Sequence, residues 1–124
     1  GLIDADDPRF VSTVAAIEQD LVHGRYVMRY TAPDNFGRPE AEFLVCRFWL
    51  IDALCRMGRK DEARERFSDA LTLRNQYGLF AEDIHRDTGQ LWGNFPQTYS
   101  MAGLILSAMR LSRVWEERYW HASS

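Results

Sequence analysis

Glu82 and Asp83 form an adjacent acidic pair within YGLFAEDIHRDTGQLWGNFPQTYS, residues 77–100. A positioned carboxylate can take a proton from water, or give one to a leaving group once its pKa is raised. Neighbours in an extended segment point to opposite sides, so both are not expected to face one ligand. Burial against Phe80 and Ile84 would raise the pKa of whichever turned inward. The stretch also holds a turn signal, Asp87-Thr88-Gly89, and the run Gly93-Asn94-Phe95-Pro96-Gln97. Connections longer than about 12–15 residues in a compact domain are usually functional or disordered. Leu79, Phe80, Leu91, Trp92 and Phe95 give this one apolar anchors, which argues for function.

The remaining reactive side chains offer less. His85 is expected to be a solvent-exposed histidine at the rim of a turn. His23 and His121 have no partners at ligand spacing, so no metal site is expected. Ser12, Ser68, Ser100 and Ser107 lie in no nucleophile motif, and Gly89-Gln90-Leu91-Trp92-Gly93 lacks the lysine and spacing of a phosphate loop. No cofactor is called for. Trp92, Phe95, Tyr99, Phe36 and Trp49 are candidates for stacking on a flat ligand such as a sugar ring; core packing is expected to claim Trp49.

The elements that would hold the acidic stretch are helical. Asp7-Pro8 is a cap followed by a first-turn proline, and the apolar residues from Phe10 to Val22 recur with helical period, predicting a helix over 8–22. Tyr26 to Thr31 is rich in β-formers and allows a brief strand. Residues 33–39 are turn chemistry. Residues 40–57 are apolar around nearly the whole circumference, predicting an enclosed helix that ends at Gly58. Residues 61–76 carry one apolar stripe of Ala63, Phe67, Ala70 and Leu71, predicting a solvent-facing helix. Together they read as an αα-hairpin. Pro96 pre-sets a last helix, expected to reach Trp115 or beyond, and Ile84 and Leu91 flank a possible hairpin over 84–92. The class is therefore all-α, with about four main helices and one short hairpin.

At 124 residues, 46% hydrophobic and 13% aromatic, the chain has material for a core and is too apolar for a disordered tail. A net charge of −3 argues against a nucleic-acid partner. Arg47 and Asp52 interrupt the most apolar run, so no membrane span is expected. No secretory signal is visible. Cys46 and Cys55 lie on opposite faces of one predicted helix, roughly 13 Å apart along its axis. Free buried thiols are expected, as in the reducing cytoplasm. ALCRMGRKDEARERFSDAL, residues 53–71, has the small–large spacing of a tetratricopeptide helix pair, which would make a protein-interaction module. Such repeats recur every 34 residues, and no second copy is present.

Several separate motifs agree on one family. PEAEFLVCRFWLIDAL over 39–54, Leu73-Arg74-Asn75, YGLFAED over 77–83, Thr88-Gly89 and GNFPQTYS over 93–100 resemble glycoside hydrolase family 15, the bacterial glucoamylase-like and trehalase-like enzymes. The resemblance runs from about residue 7 to residue 113. It implies an (α/α)6 barrel of inner and outer helices, of which residues 1–124 would be the C-terminal segment with no internal boundary. It implies inverting hydrolysis of α-glucosidic bonds in an oligosaccharide or disaccharide, one carboxylic acid protonating the leaving oxygen and one carboxylate activating water. Glu82 matches the general base. Glu40 is implied to line the cleft, with Trp92, Asn94, Gln97 and Tyr99 framing base or substrate. The chain departs from the family at Met101, where histidine is frequent, and at His85-Arg86, where Asp-Pro is frequent. The general acid belongs to an upstream segment, so the isolated chain is expected to be inactive. Its apolar helix is expected to favour self-association.

Overall fold

The computed structural model describes residues 2–112. Helix α1 spans Pro8–Leu21, with the Asp7 carboxylate accepting from the Arg9 backbone N–H at 2.8 Å and Pro8 opening the first turn. It runs into strand β1 (Val22–His23), which turns at Gly24 and pairs with β2 (Tyr26–Val27). Strand β3 (Ala41–Phe43) leads directly into α2 (Leu44–Arg56), and a turn at Gly58 starts α3 (Lys60–Leu71). Strands β4 (Asp83–His85) and β5 (Leu91–Trp92) precede α4 (Thr98–Leu111).

The core gathers around α2. Phe48, Ile51 and Leu54 are buried among Ala63 and Ala70 of α3, whose methyl side chains let the two helices approach closely. On the other side α4 presents Gly103, where a Cβ would stand 2.8 Å from the Phe48 side chain. Phe80 meets Phe48 edge-on at 5.7 Å between ring centroids, attaching the long connection to the same core. Burying side chains of this size contributes about 1.5–3 kcal/mol each.

The αα-hairpin, the first helix, the brief strand near residue 26 and the 84–92 hairpin all form. The class is nevertheless not purely helical: among the described residues four helices are joined by two small antiparallel sheets, β1–β2 and β3–β4–β5. The helix expected from residue 40 begins at Leu44, because Ala41, Glu42 and Phe43 pair with β4 instead. That pairing is non-local, and helical periodicity cannot register it. The third helix ends at Leu71 rather than 76, where the Asn75 side chain accepts from the backbone of Tyr77 and Leu79 and rounds a turn. The last helix begins at Thr98, two residues beyond Pro96, with Gln97 as its cap.

Within the described residues α2 is not enclosed all round. Trp49 is 64% exposed, contrary to the core role expected of it, while Arg47 is buried. Cys46 and Cys55 are in no disulfide, and burial pushes the Cys46 thiol pKa up to about 11. Among the described residues no helix is long and apolar enough to cross a membrane, and no cluster of potential metal ligands forms. The last helix ends at Leu111, where Ser112 turns extended, short of the Trp115 expected; His121 lies outside the described residues.

Candidate active site

The β3–β4–β5 sheet has two chemically opposite faces, as the two-residue period of a strand requires. On the inner face Glu42 pairs in register with Ile84, and Ile84 with Leu91; Glu42 and Ile84 are fully buried. On the outer face Phe43, Asp83 and Trp92 stand in one row across three strands. That row floors a cleft of about 410 Å³, walled by Arg29, Tyr30, residues 36–41 and Glu82.

Glu82 stands just before β4, at a bend, so its side chain is not bound to strand alternation. Its backbone is held from both sides: Leu44 N–H donates to its carbonyl at 3.0 Å, and its own N–H donates to Asn94 at 2.9 Å. Its Oε2 accepts from the Asn94 backbone N–H at 3.1 Å and from Asn94 Nδ2 at 2.8 Å. Among the described residues Oε1 accepts no hydrogen bond. Gly93, at φ +78°, makes the approach possible: a Cβ there would lie 2.9 Å from both Cβ and Oε2 of Glu82. Only glycine combines that backbone conformation with that clearance. Upstream, Phe80 and Ala81 are buried, and Ser100 Oγ donates to the Ala81 carbonyl at 2.8 Å. The carboxylate is thus fixed from the core, from the start of α2 and from the start of α4.

Asp83 is the half-buried acid. Burial pushes its pKa up, the Glu82 carboxylate adds to the effect, and Arg29 opposes it. Both acids line the same cleft, contrary to the expectation from adjacency, because the bend at Glu82 breaks the extended geometry.

Glu40 sits at the exposed rim, its Oε2 3.8 Å from His85 Nε2. His85 is a strand residue with a side chain only 13% exposed, not the exposed turn histidine expected. Its ring packs 4.5 Å from Trp92, and Thr88 N–H donates to Nδ1 at 3.3 Å. Trp92 lies on the cleft floor, and Asn94 braces Glu82. Gln97 and Tyr99 are not among the cleft-lining residues. Gln97 donates its N–H to the Phe80 carbonyl and caps α4 through Oε1, whereas Tyr99 lies in a groove between α2 and α4 beside Trp49. Phe36, a stacking candidate from the sequence, is 98% exposed on the cleft wall. Arg29, Tyr30, Arg38 and Phe43 line the cleft and carried no sequence signal beyond ordinary turn and helix chemistry. Their roles arise from closure of the sheet.

Behind the sheet lies an ion network. Arg47 Nε and Nη2 donate to the two Glu42 oxygens at 2.8 and 2.6 Å, and Nη1 donates to Asp69 Oδ2 at 2.6 Å. Arg25 closes the far side of Asp69 at 2.7 Å. Burial pushes the Glu42 carboxyl up, and the Arg47 guanidinium pulls it back. This network ties β3 to α2 and α3 and leaves no oxygen of Glu42 free.

Residues 1–109 match the sequence profile of glycosyl hydrolases family 15. The chain is 37% identical over 119 residues to a trehalase of Thermoplasma acidophilum, covering 95% of this chain and 20% of that protein. A trehalase of Thermoplasma volcanium is 38% identical over 112 residues, or 90% of this chain and 18% of its own. A trehalase of Mycolicibacterium smegmatis is 35% identical over 118 residues, or 93% of this chain and 18% of its own. The chain therefore spans about a fifth of the length of these curated relatives. No solved structure is significantly similar to it. The tetratricopeptide alternative gains no support from these matches.

Proposed function

The chain belongs to glycosyl hydrolases family 15, and from that premise we propose that it supplies the general base for inverting hydrolysis of an α-glucosidic bond. One observation carries the assignment. Asn94 holds Glu82 Oε2 twice, while Oε1 stays unengaged among the described residues at the edge of the cleft. A general base needs both conditions: fixed orientation, and a lone pair free to receive the proton of the attacking water. In the inverting geometry that water occupies the space between base and sugar, with the acid on the other side of the bond.

The names of the relatives make trehalose the first substrate to assay, with maltooligosaccharides as the comparison. Their greater length supports reading the chain as one segment of a larger helical toroid, with the general acid elsewhere in that domain. In that reading the isolated segment is inactive. Exposed Trp49, Tyr99 and Leu106 would favour its self-association.

The test is Glu82→Gln in the intact enzyme. Turnover should fall by about 10²–10⁴-fold, the usual worth of a general base. Substrate affinity, measured by calorimetric titration, should stay within a few-fold. Near-normal turnover in that variant would sink the assignment.

A further inference from the structure

Asp83 is the half-buried carboxylate on the cleft floor, and the hydrolytic step leaves it unused, as it does Glu40 at the exposed rim. It lies at the centre of the Phe43–Asp83–Trp92 row, paired in register with both neighbours. Cross-strand neighbours on one face keep their Cβ atoms about 4.5–5.5 Å apart, so the row measures roughly 10 Å, about the length of a disaccharide. The three positions differ in what they offer. The Arg29 guanidinium lies 5.5 Å from the Phe43 ring centroid, so that wall presents a cationic donor group. Trp92 packs on His85 yet remains 42% exposed, leaving ring surface for an apolar sugar face. Between them, Asp83 accepts no hydrogen bond among the described residues although it is half-buried.

A partly desolvated carboxylate without donors is costly until a ligand supplies them. A metal cation or an amine would meet the like charge of Arg29. A neutral polyol would not, and its hydroxyls donate. Building on the hydrolase reading above, we propose that Asp83 is a substrate-binding residue that accepts hydrogen bonds from the hydroxyls of a sugar ring lying against Trp92. The pair thereby divides its work: Glu82 faces the water, and Asp83 fixes the ring that the water attacks. The upward push on the Asp83 pKa agrees with a desolvated site awaiting donors.

The experiment uses the intact enzyme with trehalose and its monodeoxy derivatives. Asp83→Ala should raise KM about 10- to 100-fold, the range for a hydrogen bond to a charged group. The kcat should change only a few-fold. In the wild type, removing the contacted hydroxyl should lower kcat/KM; in Asp83→Ala that penalty should disappear for the same position alone. A structural defect would lower every derivative alike, and that result would overturn the proposal. Unchanged KM would overturn it too. Asp83→Leu keeps the approximate shape of the side chain without an acceptor, so a folding failure in the alanine variant does not remove the test. The two readings fail separately. Calorimetric titration of trehalose into Glu82→Gln, with and without Asp83→Leu, which carries no acceptor, reads the Asp83 contact without turnover. Equal affinities there would overturn the Asp83 assignment alone, and retained turnover in Glu82→Gln the base assignment alone.

Discussion

Glu42 and the acidic pair stand on opposite sides of one thin sheet, in opposite hydrogen-bonding states. Behind the sheet, Glu42 is fully buried and both its oxygens are taken by Arg47. In front, Glu82 has one oxygen held and one open, and Asp83 has neither engaged among the described residues. The residue types are alike and the sequence separation across the pairing is ordinary. What separates architecture from chemistry is whether acceptor capacity is left over. A saturated carboxylate can only hold structure. One with a free lone pair at a cleft can bind or react.

The contrast can be broken from either side. The largest effect belongs to Glu82→Gln, with the roughly 10²–10⁴-fold loss of turnover given above. Next comes Arg47→Met, which strips the buried Glu42 of its partner. Unfolding free energy from urea titration should drop by about 3–5 kcal/mol. Converting Glu42 to leucine as well should recover most of it, since an apolar pair leaves no buried charge. If Arg47→Met alone were harmless, the saturated side would not be structural.

A smaller and sharper probe is Gly93→Ala. Strain at φ +78° and the 2.9 Å approach to Glu82 should cost about 1–3 kcal/mol. Because the displaced atom is Oε2, kcat should fall by about tenfold or more at temperatures where circular dichroism shows the fold intact. The smallest effect is on stability against pH. The folded-state pKa of Asp83 lies above its ordinary 3.8, so folding is favoured while the group is protonated, and that contribution is lost as pH rises through the folded value. Asp83→Asn should therefore melt higher than wild type at neutral pH. The difference should vanish below the ordinary aspartate range. A constant difference across pH would deny the burial of that carboxyl.

The elements visible in the sequence were those written in local periodicity. Asp7-Pro8, the αα-hairpin and Asp87-Thr88-Gly89 each signal their structure within a few residues. Glu82 was singled out through the motifs around it, and its role as base is the proposal made above. The pairing of Ala41–Phe43 with β4 was not, since strands distant in sequence meet only after the chain has turned. Arg47 read as an interruption of an apolar run. Its partners Glu42 and Asp69 explain its burial, and Asp69 lies 22 positions away. Trp49 failed in the other direction: an apolar circumference says that a helix can be enclosed, not that this segment encloses it. The cleft walls at Arg29, Tyr30, Arg38 and Phe43 are a property of assembly and have no local signature.

Ser100 Oγ reaches back to the carbonyl of Ala81, one residue before the proposed base. Phe80 beside it is packed on Phe48, and Leu44 holds the next carbonyl. The residues around Glu82 are therefore tied to two helices at once, α2 through Phe48 and Leu44 and α4 through Ser100. If Glu82 is the base proposed above, warming should cost the intact enzyme its turnover together with this packing rather than ahead of it.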